Sequence, residues 1–164
     1  NYIKNINLKK WEDSFFLNLF SNIYLSRYCI RSIKKQRGAI FFLAGGGAAN
    51  SFKKFSSYSL AKTAIVRFAE NLAAESKNEF YSYAVTPGAV KTKLMQKTLK
   101  HGHRIKKNKI IKSDKCIKLI NYLINNQKKF LNGKYIHASD NYQNFNKKNT
   151  KNLFLLRRTE NREI

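Results

Sequence analysis

The stretch GAIFFLAGGG, residues 38–47, decides the fold class of this chain. Its apolar run from Ala39 to Leu43 follows a basic segment and a glycine, and it stops at Gly45-Gly46-Gly47. A short continuous apolar run bounded in this way is typical of a fully buried strand in a parallel sheet. A dinucleotide-binding loop would need G-x-G-x-x-G followed at once by a helix. About ten residues intervene here, so we interpret the glycines as a flexible turn at the carboxyl end of a strand.

Helical and strand patterns alternate on both sides of this run. They predict, in chain order, a helix from Leu8 to Arg37, the strand, a helix from about Ser57 to Ser76 with Ser56 or Ser57 as N-cap, a strand from Tyr81 to Thr86, a basic loop from Lys91 to Lys112 with a short helix, a helix from Ser113 to Asn126, and a strand from Lys134 to Ala138. Such alternation indicates an α/β fold with a parallel sheet.

Two helices carry apolar residues at helical spacing, which predicts their buried faces. The first has a wide stripe made of Trp11, Phe15, Phe16, Leu19, Phe20, Ile23, Tyr24, Cys29, Ile30 and Ile33. The last directs Ile117, Leu119, Ile120, Leu123 and Ile124 inward. Asn18 interrupts the first stripe where solvation is unfavourable, and a buried amide needs hydrogen-bond partners. An Asn that satisfies a nearby backbone group is the simpler interpretation.

Composition limits the class of protein. The 164 residues are 43% apolar, which is enough for one domain with one core. Two widely separated cysteines suggest neither a disulfide framework nor a zinc site, and no apolar run reaches the length of a membrane span. We therefore expect a cytoplasmic protein. After residue 140 the sequence becomes rich in Asn and Lys up to the apolar run Leu153 to Leu156, and we interpret residues 141–164 as a basic tail with little to bury.

The net charge of +24 would attract any polyanion. A nucleic-acid-binding surface is one explanation, but no nucleic-acid motif accompanies the charge. A compositional drift toward Lys, Asn and Ile along the whole chain is the simpler one. His101-Gly102-His103 could bind a metal ion, but two His without a further ligand are more typical of a solvent-exposed loop, and we predict no metal site.

Tyr58 and Lys62 stand four residues apart, so they share one face of a helix. An ammonium beside a phenol favours the phenolate, so this pairing predicts a lowered Tyr58 pKa and suits a general acid/base. In a chain with nine Tyr and many Lys such pairs also arise by chance. The neighbouring motifs therefore decide whether the pair is interpreted as functional or as a chance occurrence.

Taken together, these motifs resemble the short-chain dehydrogenase/reductase family over residues 8–140. The matching motifs, in the family's order, are Trp11 with Leu17-Asn18-Leu19, the strand that ends in Gly45-Gly46-Gly47, Tyr58-x-x-x-Lys62, Pro87-Gly88-Ala89-Val90-Lys91-Thr92, and Asn132-Gly133-Lys134-Tyr135. The resemblance implies a partial Rossmann-like fold with a doubly wound parallel sheet, of which residues 1–140 would form roughly the last three strands and their helices.

The resemblance also implies roles for individual residues. Tyr58 would exchange a proton with the oxygen of an alcohol or carbonyl substrate, Lys62 would lower the Tyr58 pKa and contact the nicotinamide ribose of NAD or NADP, and Asn18 would hold a water linked to Lys62. The nicotinamide side of the cofactor would be lined by Tyr58, Lys62, Pro87, Gly88, Val90 and Thr92. The helix from Ser57 to Ser76 would pack against its counterpart in a homo-oligomer.

Two departures from the family pattern bear on activity. The family places a hydrogen-bonding Ser thirteen or fourteen residues before the Tyr, and this chain has Gly45 and Ala44 there. The loss of one such donor typically lowers the rate by about a hundredfold to a thousandfold. The family's Gly-rich cofactor loop and its first strands have no counterpart in this sequence. We expect the carboxyl-terminal portion of an oxidoreductase, inactive alone; a catalytically impaired relative kept for binding or oligomerisation is the alternative.

We predict that residues 1–164 alone are poorly soluble or need a partner. An apolar strand at the edge of a three-stranded sheet would expose unpaired backbone and hydrophobic side chains to water. Calorimetry and sedimentation test this expectation, and a stable, cooperatively unfolding monomer would contradict it.

Overall fold

A computed structural model of the chain describes residues 1–105, 110–151 and 153. Three parallel strands form its sheet, in the order β1 (Ala39–Leu43), β2 (Tyr81–Thr86) and β3 (Tyr135–His137). The predicted α/β class and the parallel sheet are thus confirmed. Strand β2 is paired on both edges, and its residues from Ser82 to Thr86 are at most 2% exposed. It forms the centre of the sheet.

The predicted first helix is present but is not a regular α-helix throughout. It consists of α1 (Leu8–Phe15), a π-helical turn (Phe16–Phe20) and α2 (Ser21–Lys35). Asn7 caps its start, because its side-chain oxygen accepts a hydrogen bond from the Lys10 N–H at 2.9 Å. The π-helical turn contains Asn18. Single π turns of this kind occur frequently at functional sites.

Helix α3 (Ser56–Glu75) follows the turn after β1. The prediction that Ser56 or Ser57 caps it is wrong, since both lie inside the helix and Phe55 holds the cap position without a side-chain bond. The two hydroxyls bind α1 instead. Ser57 donates to the Trp11 carbonyl at 2.6 Å, and Ser56 accepts from the Trp11 indole N–H at 2.9 Å. These bonds fix the start of α3 against α1.

Two shorter helices complete the fold. Helix α4 (Lys93–Lys100) confirms the short helix predicted within the basic loop, of which residues 106–109 lie outside the described residues. Helix α5 (Asp114–Asn125) buries Leu119 and Leu123 completely, as predicted. Ile117 and Ile124 are 58% and 48% exposed, so their predicted burial is wrong. They are seven residues apart and share a face that points away from the sheet.

The sheet separates two hydrophobic clusters, because successive residues of a strand point to opposite faces. Ala84 of β2 packs with Phe42 and with Ala61 and Ile65 of α3 on one side. On the other side the neighbours of Ala84, Tyr83 and Val85, pack with α5 residues. Three side chains of the segment interpreted as a tail, Tyr142, Phe145 and Leu153, also contact this second cluster. The expectation that this segment has little to bury is therefore wrong for its described part, and residues 154–156 lie outside the described residues.

The outer edge of β1 and one side of the first helix are exposed. Only Phe42 of β1 is fully buried, and Leu43 is 54% exposed, so the predicted complete burial of this strand is wrong. The reason is its position, since among the described residues β1 has a neighbouring strand on one side only. Much of the predicted apolar stripe of the first helix is likewise exposed, including Phe16, Phe20, Tyr24 and Cys29. No helix in the described part of the chain is long and apolar enough to cross a membrane.

Helix α5 offers a matched test of this packing. We expect Leu119→Ala to lower the free energy of unfolding by about 2–5 kcal/mol, because it leaves a cavity in the second cluster. Ile117→Ala removes an exposed side chain two residues away and should change it by no more than about 0.5 kcal/mol. Urea denaturation measures both values, and equal losses would contradict the burial pattern.

Candidate active site

A cleft lies at the carboxyl ends of the three strands, where open parallel sheets form their binding sites. Its volume is about 790 Å³. The turn after β1, the segment after β2, the end of β3 and the first turn of α3 all contribute to its lining, with Gly45, Pro87, His137 and Tyr58 as representatives. A second cavity, of about 840 Å³, is lined by Val90, Lys91 and residues 110–114. Tyr58 lines only the first of these two, which makes that cleft the candidate site.

Tyr58 and Lys62 lie on the first two turns of α3, on one face as predicted. The Lys62 Nζ is 5.7 Å from the centroid of the Tyr58 ring. It donates a hydrogen bond to the Leu43 carbonyl at 2.7 Å, at the end of β1. Tyr58 lines the cleft, whereas Lys62 and Asn18 do not. The structure thus brings the phenol to the site and places the ammonium behind it, against the end of the strand.

The Tyr58 pKa differs in direction from the sequence prediction. Burial raises the pKa of the Tyr58 phenol above its ordinary value, and burial lowers the pKa of the Lys62 ammonium. The spacing argument predicted a lowered phenol pKa, so that prediction is wrong for this structure. Partial desolvation outweighs the attraction of an ammonium that is hydrogen-bonded to the Leu43 carbonyl. The phenol is therefore held in its protonated form.

Asn18 makes its described hydrogen bonds within its own helix. Its side-chain amide donates to the Ser14 carbonyl at 2.8 Å, and its backbone carbonyl accepts from the Asn22 amide at 3.1 Å. The side chain is only partly buried. This is the simpler of the two sequence interpretations, an Asn that satisfies a nearby backbone group.

Gly45 and Ala44, the two positions at which the family Ser is expected, differ sharply in their surroundings. Ala44 is 5% exposed and packs in the first core cluster. Gly45 is also buried, and a Cβ built on it would overlap the Tyr58 hydroxyl. The φ of Gly45 is −174°, an extended conformation that any residue adopts. The hydroxyl of Tyr58 therefore fills the volume that a side chain at position 45 would need.

The segment after β2 brings all four of its predicted site residues, Pro87, Gly88, Val90 and Thr92, to the cleft. Gly88 has a φ of +76°, and a Cβ there would lie 2.8 Å from Ile111 Cδ1 and 3.0 Å from His137 Cε1. Only glycine fits this turn without strain. Thr92 caps α4, because its hydroxyl oxygen accepts from the Met95 N–H at 3.2 Å.

Three residues of the cleft region had no assigned role in the sequence. The Tyr135 hydroxyl donates to the Gly45 carbonyl at 3.0 Å, and Thr86 Oγ1 accepts from the Gly88 N–H at 3.4 Å. His137 Nδ1 accepts a hydrogen bond from the Ser139 N–H at 3.0 Å. Tyr135 belongs to a motif noted in the sequence. No local sequence pattern, however, predicts that its hydroxyl reaches the Gly45 carbonyl.

The two loop histidines are not simply solvent-exposed, as the sequence suggested. The His103 ring lies 4.3 Å from the Phe52 ring and the His101 ring 5.4 Å from the Phe55 ring, measured between centroids. Both side chains are partly buried, and burial lowers the pKa of His101. These contacts join the end of α4 to the loop before α3. Within residues 1–105 and 110–151, no group of three His, Cys, Asp or Glu side chains could hold a metal ion.

Comparison with known proteins agrees with this geometry. The sequence profile of the short chain dehydrogenases matches residues 1–102. The chain belongs to the short-chain dehydrogenase family. A curated relative, the benzil reductase ((S)-benzoin forming) of Saccharomyces cerevisiae, is 30% identical over 96 residues, which are 57% of this chain and 36% of that protein. The chain thus matches little more than a third of that relative's length.

Solved structures of the family share the fold. A short-chain dehydrogenase/reductase of Saccharomyces cerevisiae has a TM-score of 0.73 at 19% identity. The matched region covers 88% of this chain and 62% of the yeast chain. 4-Hydroxyisoleucine dehydrogenase, complexed with NADH, has a TM-score of 0.68 at 18% identity and covers 84% of this chain and 61% of its own. At these identities the likeness establishes the fold, and it confirms the predicted Rossmann-like class.

The crowding at Gly45 gives a matched pair of variants. We expect Gly45→Ala to lower the free energy of unfolding by about 1–3 kcal/mol relative to Gly46→Ala, because the new methyl group displaces the Tyr58 hydroxyl. Position 46 is exposed, and a Cβ there meets nothing within 4 Å. Both variants remove the same backbone freedom from the unfolded chain, so their difference isolates the contact. Equal stabilities in urea denaturation would show that Tyr58 lies elsewhere.

Proposed function

We propose that the protein containing this chain is an NAD- or NADP-dependent oxidoreductase that interconverts an alcohol and a carbonyl compound. The observation that carries the proposal is the position of the Tyr58 hydroxyl in a cleft at the carboxyl ends of parallel strands, with Lys62 one turn away. The family membership supports the reaction class. Bound nicotinamide would supply the hydride in this reaction.

The cleft suits a flat, largely apolar ring. Pro87, Ala89 and Val90 line it with Ala44 and Ile111, and Gly46 leaves open space at its mouth. A volume of about 790 Å³ falls in the range of small-molecule sites. In our proposal Pro87, Gly88, Val90 and Thr92 contact the nicotinamide side of the cofactor.

Tyr58 would act as the proton donor when a carbonyl is reduced. Its raised pKa keeps the phenol protonated near neutral pH, and a general acid must hold its proton until the substrate oxygen accepts it. The oxygen of the substrate would approach the phenol from the open side of the cleft, since Gly45 closes the other side.

Lys62 and Asn18 would act from behind Tyr58. The bond from Lys62 to the Leu43 carbonyl fixes the ammonium at the strand end, from which it could contact a ribose hydroxyl. The role of Asn18 as the holder of a linking water rests on its position in the π-helical turn of the first helix. Homo-oligomer formation through the helix predicted from Ser57 to Ser76 is a further part of the proposal; Leu60 on its surface is 53% exposed.

A specific observation favours a second candidate function, a catalytically impaired relative kept for binding or oligomerisation. Neither Ala44 nor Gly45 carries a side-chain donor, and Tyr58 occupies the volume beside Gly45. A substrate oxygen in the cleft would therefore lack the second donor that the family pattern provides. The expected loss of rate is about a hundredfold to a thousandfold.

The proposed acid/base is tested by Tyr58→Phe in the gene product that contains this chain. We expect kcat to fall by about a hundredfold to ten-thousandfold, because the ring remains while the transferable proton is lost. Tyr28→Phe is the matched control, since Tyr28 is 83% exposed on α2. Carbonyl reduction is followed by nicotinamide absorbance, and circular dichroism checks the fold. Unchanged turnover in Tyr58→Phe would contradict the assignment.

Ala44→Ser separates the two candidate functions. A gain in turnover would identify an enzyme that lacks a donor, whereas an absence of turnover with NADH and NADPH in both the natural protein and the variant would favour the binding role. The serine at 44 is preferable to one at 45, because only the latter would displace Tyr58.

A further inference from the structure

A hydrogen bond crosses the sheet at the carboxyl ends of its strands. The Tyr135 hydroxyl, from β3, donates to the carbonyl of Gly45, which follows β1, at 3.0 Å. At the end of β2, between these two strands, the Gly88 N–H donates to Thr86 Oγ1 at 3.4 Å. The Tyr135 phenol therefore joins two segments that border the cleft from opposite sides of β2.

The Tyr135 side chain makes a connection between β3 and the end of β1 that no backbone hydrogen bond of the sheet makes. Strands β1 and β3 lie on opposite sides of β2 and share no backbone hydrogen bonds in the sheet. A direct bond between β3 and the turn that begins at Gly45 therefore needs a side chain long enough to pass across the end of β2. Tyr135 reaches that far, and it is 8% exposed, so its hydrogen bond lies in a medium of low dielectric constant where such bonds are strong.

The Gly45 peptide in turn bounds the position of Tyr58. The Tyr58 hydroxyl rests against the face of Gly45 from which a side chain would project. Any movement of this peptide changes the space into which the phenol fits. Tyr135 and Tyr58 thus meet the same residue, Tyr135 by a hydrogen bond to its carbonyl and Tyr58 on the side where a Cβ would lie.

We propose that Tyr135 is a positioning residue for Tyr58: by holding the Gly45 carbonyl it fixes the surface against which the Tyr58 hydroxyl packs. This inference rests on the proposed function for its effect on turnover. It does not require a direct contact of Tyr135 with substrate or cofactor. Misplacement of a catalytic group by about 1 Å can lower a rate about a hundredfold, so a buried hydroxyl that touches no reactant can still matter.

The ionisation of Tyr135 is consistent with a permanent donor. Burial raises the pKa of its phenol, the Thr86 side chain acts in the opposite direction, and charge on Tyr58 or Asp140 raises the pKa further. The net shift is upward, so the hydroxyl keeps its proton across the neutral range. It is therefore available near neutral pH as the donor to the Gly45 carbonyl.

Tyr83 provides a matched control in the same sheet. It is also a fully buried tyrosine, on β2, but its hydroxyl has no hydrogen-bond partner among the described residues. Its ring packs in the second cluster, on the opposite side of the sheet from Tyr135. Tyr83→Phe deletes a buried phenol oxygen with the same chemistry as Tyr135→Phe, without breaking a described hydrogen bond.

The first measurement compares these variants in the gene product that contains this chain. We expect Tyr135→Phe to lower kcat by about tenfold to a hundredfold with KM for the nicotinamide cofactor unchanged, because only the placement of Tyr58 is altered. Tyr83→Phe should retain the natural kcat. Equal kcat values in the natural protein and in Tyr135→Phe would overturn the proposal, and so would an equal loss in both variants.

The second measurement needs no catalysis. The Tyr58 pKa is followed by NMR with isotope-labelled tyrosine Cζ, assigned with Tyr58→Phe. We expect the Tyr58 pKa to fall toward its ordinary value in Tyr135→Phe, because a loosened Gly45 peptide admits water to the phenol. It should stay unchanged in Tyr83→Phe. If the natural protein shows no nicotinamide-dependent turnover, the proposed function fails, while this titration still decides the role of Tyr135.

A measurement on the natural protein covers the case in which Tyr135→Phe does not fold. The proposal requires the hydrogen bond from the Tyr135 hydroxyl to the Gly45 carbonyl. We expect this hydroxyl proton to be observable by NMR and protected from exchange with water, and rapid exchange would overturn the proposal.

Discussion

The pairing of β2 with a parallel strand on each side is the constraint on which the rest of this structure depends. Because β2 is hydrogen-bonded on both edges and buried on both faces, it aligns the carboxyl ends of β1 and β3 with its own. The turn at Gly45, the segment Thr86–Val90 and the residues around His137 then meet at one edge of the sheet. A site forms there as a consequence of the parallel arrangement, before any particular side chain is considered.

Tyr58 lies on α3 beside this edge of the sheet. The hydrogen bonds that fix α3 determine the position of its phenol. Trp11 binds Ser56 and Ser57, and the Ser59 hydroxyl donates to the Gly47 carbonyl at 2.6 Å. The first turn of α3 is thus fastened both to α1 and to the glycine turn after β1. With the helix fixed, the volume at Gly45 is the space that receives the Tyr58 hydroxyl. A glycine at position 45 is therefore coupled to the tyrosine thirteen residues later.

The same arrangement explains the ionisation of the site. Partial burial disfavours the charged forms of both groups, the phenolate of Tyr58 and the ammonium of Lys62. It therefore raises the pKa of the phenol and lowers the pKa of the ammonium, and both shifts favour the neutral forms. The Leu43 carbonyl takes a hydrogen bond from the ammonium, while Gly45 receives one from Tyr135 on the far strand. The end of β1 is the point at which the proposed acid/base, its cationic neighbour and its proposed support are all anchored.

The sequence by itself determined the α/β class and the three strands, because these depend on local periodicity. The resemblance of its short motifs to a known family pointed to Tyr58, Pro87, Gly88, Val90 and Thr92, all of which line the cleft. The sequence predicted the burial of Ile117 and of Leu43 incorrectly, since a periodic pattern marks a face without showing whether another element covers it. Only the tertiary structure decided the direction of the Tyr58 pKa, the crowding at Gly45 and the hydrogen bond from Tyr135 to the Gly45 carbonyl. Each of these depends on groups far apart in the chain, and Tyr135 lies ninety residues from the carbonyl it binds. The distance between such groups follows from the packing of the sheet, and no local pattern in the sequence encodes it.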